Sequence, residues 1–214
     1  MKIFSLESPI VQKLSFFFDF MMINMIYILC CVPIVTIGAA TAALHKVAQA
    51  IVYDTDNGIF KTFFRAFREN FKRGTAVWLV LLLAAGICGL DLYFANQMDS
   101  NAARVIALLG MVAVAMTAVS VFILVARFEN TWGNHLKNAL LLSLSHAPRA
   151  LLALALWGGM VLLTFFSFNT MYMMVLLWLM VGFTCLSYAT LWIFTPMLKK
   201  LEPAPAEEGE EIIE

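Results

Sequence analysis

Residues 14–37, LSFFFDFMMINMIYILCCVPIVTI, decide what kind of protein this is. Asp19 is the one charged side chain in a 24-residue run. A helix needs roughly 20 apolar residues to cross the hydrocarbon of a bilayer. The run also exceeds the roughly 7–15 apolar residues of a signal-peptide core, so it reads as a retained span rather than a cleaved leader.

The same chemistry extends through the 214 residues, of which 62% are hydrophobic and 13% charged, with a mean hydropathy of +0.86. A soluble domain averages about 45–50% and about 25%. A chain this apolar cannot cover a water-facing surface, which excludes an ordinary cytosolic enzyme, a disulfide scaffold and a disordered protein. Four further stretches have the length and composition of spans: 75–95, 103–126, 150–168 and 172–196. The last two are separated by Asn169-Thr170-Met171, which requires an antiparallel hairpin. The expected fold is all-α, a polytopic bundle of about five transmembrane helices with two cytoplasmic interfacial amphipathic helices.

The formal net charge of zero conceals segregation. Residues 201–214 hold six acids and no base, leaving fourteen bases against eight acids in 1–200. The expected organisation is one integral membrane domain, 1–200, and a disordered acidic tail, 201–214. Bases scattered among short loops argue against nucleic-acid binding. They suit anionic lipid headgroups instead. Lys and Arg concentrate in cytoplasmic loops. With the N-terminus outside, Lys46, Lys61, Arg65, Arg68, Lys72, Arg73, Arg127, Lys137, Arg149, Lys199 and Lys200 lie inside, and Lys2, Lys13 and Arg104 outside. That assignment places the N-terminus outside and the C-terminus in the cytoplasm.

Two stretches alternate by helix face. In IFKTFFRAFRENFKR (59–73), Phe60, Phe63, Phe64, Phe67 and Phe71 oppose Lys61, Arg65, Arg68 and Lys72, the pattern of a helix lying in the membrane interface. In 130–146, Asn130, Asn134, Lys137, Asn138 and Ser145 oppose Leu136, Leu140 and Leu144. From these segments Phe63, Phe67, Arg65, Arg68, Glu129 and Asn138 are candidates for a cytoplasmic interaction.

Ionisable groups in a span face the bundle or a water-filled cavity. Asp19, Asn24, Asp91 and Arg104 therefore form a candidate intramembrane polar site, with Asp19 and Asp91 expected at similar depth. The other reading is two acids near the headgroups, neutralised by Arg104 or Lys13. Pro33 and Gly38 close the first run as a structural elbow, and Pro148 sits in the first turn of the fourth span. Cys30, Cys31, Cys88 and Cys185 all lie in apolar runs without a CxxC pair, as small hydrophobes. His45, His135 and His146 have no ligand-spaced partner, and no HExxH, Walker A, GxSxG or dinucleotide motif occurs. The expectation is no catalytic residue, no metal and no cofactor.

The stretches PIVTIGAATAALHKV (33–47), FFRAFRENFKRG (63–74) and ARFENTWGNHLKNALLLSLSHAPRALL (126–152) resemble the YesL-like family of bacterial membrane proteins, a domain of unknown function. Members are typically encoded among carbohydrate-uptake genes, especially sugar importers with binding proteins. The resemblance implies a bacterial plasma-membrane protein acting as an accessory or assembly subunit of a carbohydrate ABC importer, with permease or ATPase subunits as partners. Residues 129–148 also resemble the cytoplasmic coupling loop of ABC permeases, with Asn130-Thr131 in place of Ala-Ala and Gly133 shifted. The alternatives are a small solute transporter using Asp19, Asn24 and Asp91, or a membrane sensor or scaffold.

Overall fold

The computed structural model describes residues 9–52 and 58–201, and the expected acidic tail from 202 onward lies outside the described residues. All regular structure among the described residues is helical. Five stretches are long and apolar enough to cross a membrane: Ile34–Ile51, Ile59–Gln97, Asn101–Arg127, Ala147–Phe165 and Phe168–Leu198. The number matches expectation, but the first member differs. Helix α1 (Pro9–Cys31) stops before Pro33, and a short 3-10 turn (Ile34–Thr36) leads into α2 (Ile37–Val52). Pro33 cannot donate a backbone hydrogen bond, so the ladder ends there. The Thr36 hydroxyl lies 2.6 Å from the Cys30 carbonyl and 2.7 Å from that of Pro33, covering acceptors the break leaves free.

After this elbow α2 runs back along α1, as the 3.2 Å contact between the Tyr27 and Thr41 hydroxyls shows. Small residues on α2 permit a close approach to α3 (Ile59–Gln97), which is antiparallel to it. At the crossing, a Cβ on Gly38 would lie 2.1 Å from the Gly74 carbonyl oxygen, and one on Gly74 would lie 2.9 Å from the Gly38 oxygen. Trp78 donates its indole N–H to the Ile34 carbonyl, 2.9 Å away, pinning α3 to the elbow. Ala40, Ala43, Leu44 and Val47 of α2 enclose Phe63 and Ala66 of α3 together with Ile23 and Tyr27 of α1.

The expected interfacial helix at 59–73 is therefore no separate element. It is the first part of a continuous 39-residue helix, about 58 Å long at helical rise. Its phenylalanine stripe divides: Phe63 is fully buried and Phe67 half-buried against the α1–α2 hairpin, while Phe60, Phe64 and Phe71 stay exposed. Protein packing, rather than a lipid plane, takes the inner half of the stripe.

A tight turn with Asp99 at φ 49° joins α3 to α4 (Asn101–Arg127), and Ser100 caps α4 by accepting from the Ala103 N–H. Next come α5 (Trp132–Ser145) and α6 (Ala147–Phe165), with Pro148 in the first turn of α6. The α6–α7 connection falls at Phe166–Ser167 rather than at 169–171, because Ser167 and Thr170 form a capping box that starts α7 (Phe168–Leu177). A π-helical turn (Trp178–Gly182) carries α7 into α8 (Phe183–Leu201). Trp178 and Trp157 donate to Thr164 and Thr190 across the hairpin, fixing α6 antiparallel to this last rod.

Helix α1 is antiparallel to α8. Its pairings with α8 run in opposite chain directions: Phe20 with Tyr188, Asn24 with Thr184, Tyr27 with Phe183. The beginning of α1, the beginning of α3 and the end of α8 thus share one end of the bundle. The elbow makes α1 and α2 a hairpin that returns to its starting end, whereas the expected first span, 14–37, runs across Pro33 as one crossing.

Candidate functional site

The expected polar site does not assemble. Asp19 lies next to the Phe20–Tyr188 contact, at the end where α3 begins, whereas Asp91 is exposed near the other end of α3. Equal depth was inferred from one uninterrupted first span, which the elbow removes. Arg104 pairs with Asp99 and donates to Asn101 Oδ1 at 3.0 Å, so it closes the α3–α4 turn rather than neutralising Asp91. Asn24 is fully buried and structural in its contacts. Its amide N–H groups donate to the Trp178 and Leu179 carbonyls, both at 2.8 Å, and its Oδ1 accepts from the Thr184 N–H at 3.1 Å. A π turn displaces backbone groups from the regular ladder. Asn24 supplies them with partners.

A different site forms where α5 folds back on α4. Helix α4 ends at Arg127, and Phe128 is extended. Thr131 then caps α5 by accepting from the Asn134 N–H, while Asn130 Oδ1 accepts from the Thr131 N–H at 2.9 Å and from the Asn134 amide at 3.0 Å. Helix α5 is antiparallel to the end of α4. The Ser143 hydroxyl donates to the Met116 carbonyl at 3.0 Å, and the Ser120 and Ser143 hydroxyls meet at 2.8 Å. The buried face is His135, Ala139 and Ser143, at i, i+4 and i+8. Of the expected apolar stripe only Leu136 packs on the core, while Leu140 and Leu144 are exposed, with Leu141. Close helix contact selects the small and hydrogen-bonding residues instead.

Beside this junction lies a cavity of about 570 Å³, with an apolar wall of Leu124, Phe128, Leu141 and Leu142. Its polar groups are Glu129, Asn130, His135, Asn138, Ser145 and His146. Glu129 and Asn138 were singled out from the sequence, and both line it. Their expected companions do not: Arg65 and Arg68 sit with Phe64 and Phe71 on a separate open face of α3. The two histidines were missed as a pair, although they stand eleven residues apart, about three helical turns. His135 Nε2 and His146 Nδ1 are buried and have no hydrogen-bond partner among the described residues. Burial of His135, and next the nearby Arg73 guanidinium, holds its pKa below the ordinary imidazole value, favouring the neutral ring. Among the described residues no three His, Cys, Asp or Glu side chains are grouped to hold a metal ion. A third histidine, His45, is engaged elsewhere, with Nδ1 2.9 Å from the Ser187 hydroxyl.

Residues 20–92 match the family model described as "Protein of unknown function, DUF624". That stretch is similar to the DUF624 family. It begins inside α1, takes in the elbow, α2 and most of α3, and so contains the Gly38–Gly74 crossing. The YesL-like resemblance is shown there, on the first two of its three motifs, while the α4–α5 junction lies beyond the DUF624 match. No curated protein and no solved structure matches the chain.

Proposed function

We propose that this DUF624-containing chain is a non-enzymatic integral membrane subunit of the bacterial plasma membrane. It works beside a carbohydrate ABC importer and docks the permease or ATPase at its basic end. The carrying observation is the exposed face of α3, where Lys61, Arg65, Arg68 and Lys72 alternate with Phe60, Phe64 and Phe71. Mixed aromatic and basic side chains supply anchors for a protein interface, and Arg and Phe are enriched in such interfaces. The same bases attract anionic headgroups where the face meets lipid. By the excess of Lys and Arg this end faces the cytoplasm, which puts both the start of α1 and the end of α8 inside. The family resemblance supplies the link to sugar uptake.

The test is in-cell photo-crosslinking from residues introduced at Phe64, Arg68 and Leu144, followed by mass spectrometry. Crosslinks from positions 64 and 68 to an importer permease or ATPase support the reading. Crosslinks from all three positions to lipid alone, or to further copies of the chain, overturn it.

A further inference from the structure

We infer that the acidic segment 202–214 docks on the basic aromatic face of α3 and covers it until a competitor displaces it. The inference concerns the face that the importer reading uses, but it needs no importer. Among the described residues no carboxylate pairs with Lys61, Arg65, Arg68 or Lys72. Glu69 is the one acid between them, so these four bases and Glu69 leave a formal +3 on an exposed strip. Arg73, the next base along, is already matched with Glu129 at 4.0 Å. Between the bases stand the exposed rings of Phe60, Phe64 and Phe71.

The segment has the complementary composition. EPAPAEEGEEIIE holds six glutamates, no base and the apolar pair Ile212-Ile213. It also starts in the right place. Helix α8 ends at Leu201, and α8 and α3 both pack on α2: Leu198 shares a core with Ala48, and Phe63 shares another with Val47. Packed helices stand about 8–10 Å apart, so two such steps separate the close of α8 from α3 by about 20 Å. At roughly 3.3 Å per extended residue, Glu208 reaches about 23 Å from Leu201 and Glu214 about 43 Å. The cluster Glu207–Glu211 therefore spans to Lys61 and Arg65 without strain. Tethering keeps these carboxylates at about millimolar effective concentration beside the bases. An anionic leaflet repels the same carboxylates, which leaves the α3 face as their favourable contact. Exposed ion pairs are individually weak and screened by salt, so the segment guards the face without sealing it.

The test uses full-length protein on a cysteine-free background, one copy per phosphatidylcholine nanodisc. Spin labels sit at Gly209→Cys and at either Phe64→Cys on the face or Leu144→Cys on α5. Pulsed dipolar spectroscopy at low salt is expected to show a short, narrow distance population for 209–64 and a longer, broad one for 209–144. The short population is expected to fall at least threefold in about 1 M salt, where screening acts within a few ångströms. The same loss is expected when all six glutamates of 202–214 are changed to Gln, and in Arg65→Glu with Arg68→Glu. Those two arginines are exposed, and unchanged thermal unfolding checks that the fold persists. A 209–64 distribution as broad as 209–144 overturns the inference. So does a short population that neither salt nor the Gln variant reduces. Equal access of membrane-dissolved oxygen to the label at 64, with and without the six Gln changes, puts lipid on the face and overturns it too. The importer reading is judged by crosslinks in cells and this one by distances in the purified chain, so either can fail alone.

Discussion

At the scale of single residues, the Gly38–Gly74 contact is the tightest backbone approach in residues 20–92. Added carbon at Gly38 would meet backbone oxygen rather than a movable side chain. Gly38→Ala is therefore expected to destabilise by at least the roughly 1–3 kcal/mol typical of overpacking. Gly86→Ala, which meets nothing within 4 Å, is expected to be neutral or mildly stabilising through helix propensity. Thermal unfolding of the two purified variants in one detergent separates them. His135 makes a second residue-scale case. Its pKa is lowered on folding, so the unfolded chain binds the proton more readily. Stability from this group is complete above the ordinary value of about 6.5 and is lost as pH falls below it. Between about pH 7.5 and 5.5 the wild type should lose more thermal stability than His135→Asn, which does not titrate. Equal losses would mean that His135 is not held neutral.

At the scale of elements, the sequence displayed helices clearly and their partners poorly. Apolar runs of span length need no knowledge of neighbours, and four of the five recur with boundaries moved by a few residues, the second as the latter part of α3. The Phe stripe at 59–73 was equally visible, but periodicity reports only that one face is apolar. It does not say whether lipid or protein covers that face. The deciding information sits in small residues on both helices, Ala40 and Ala43 of α2 and Ala66 of α3 with the paired glycines, whose meaning appears only once α2 folds against α3. Asn24 and the π turn are alike, since the need for Asn24 arises more than 150 residues away. The cavity was half legible. Asn138 is visible as a polar group on an amphipathic helix and Glu129 through the coupling-loop resemblance, while His135 and His146 fit no ligand spacing, and their place beside α4 follows only from the fold-back of α5. The division of the stripe gives a sharp contrast. Phe63→Ala removes a fully buried ring and should cost about 3–5 kcal/mol. Phe64→Ala, at 53% exposure, should change stability by no more than about 0.5 kcal/mol. Equal effects on unfolding would return the whole stripe to the membrane interface.

At the scale of the whole molecule, one residue redirects the topology. Pro33 divides an apolar run long enough to cross the bilayer, and Thr36 completes the elbow, so α1 and α2 become a hairpin. Every later helix keeps its expected direction relative to the next, yet the start of α1 moves to the end that holds α3's basic face and the close of α8. This relocation bears on the charge pattern: Lys13, which the expected topology puts outside, lies in the first part of α1, at the end where the basic face of α3 begins. Arg104 in the α3–α4 turn lies at the other end and is paired with Asp99. Cysteine accessibility on a cysteine-free background tests the arrangement in intact cells and in inverted vesicles. Ser8→Cys, Asn134→Cys and Glu208→Cys are expected to label from the cytoplasmic side alone, and Asn101→Cys from the outside alone. Position 134 calibrates the inner face and 101 the outer, so position 8 carries the decision. Labelling of Ser8→Cys in intact cells by an impermeant reagent, with 134 protected, would show that α1 crosses in one direction without returning. The α1–α2 hairpin, the end shared by the start of α1 and the close of α8, and the burial of Phe63 against that hairpin would then fail together.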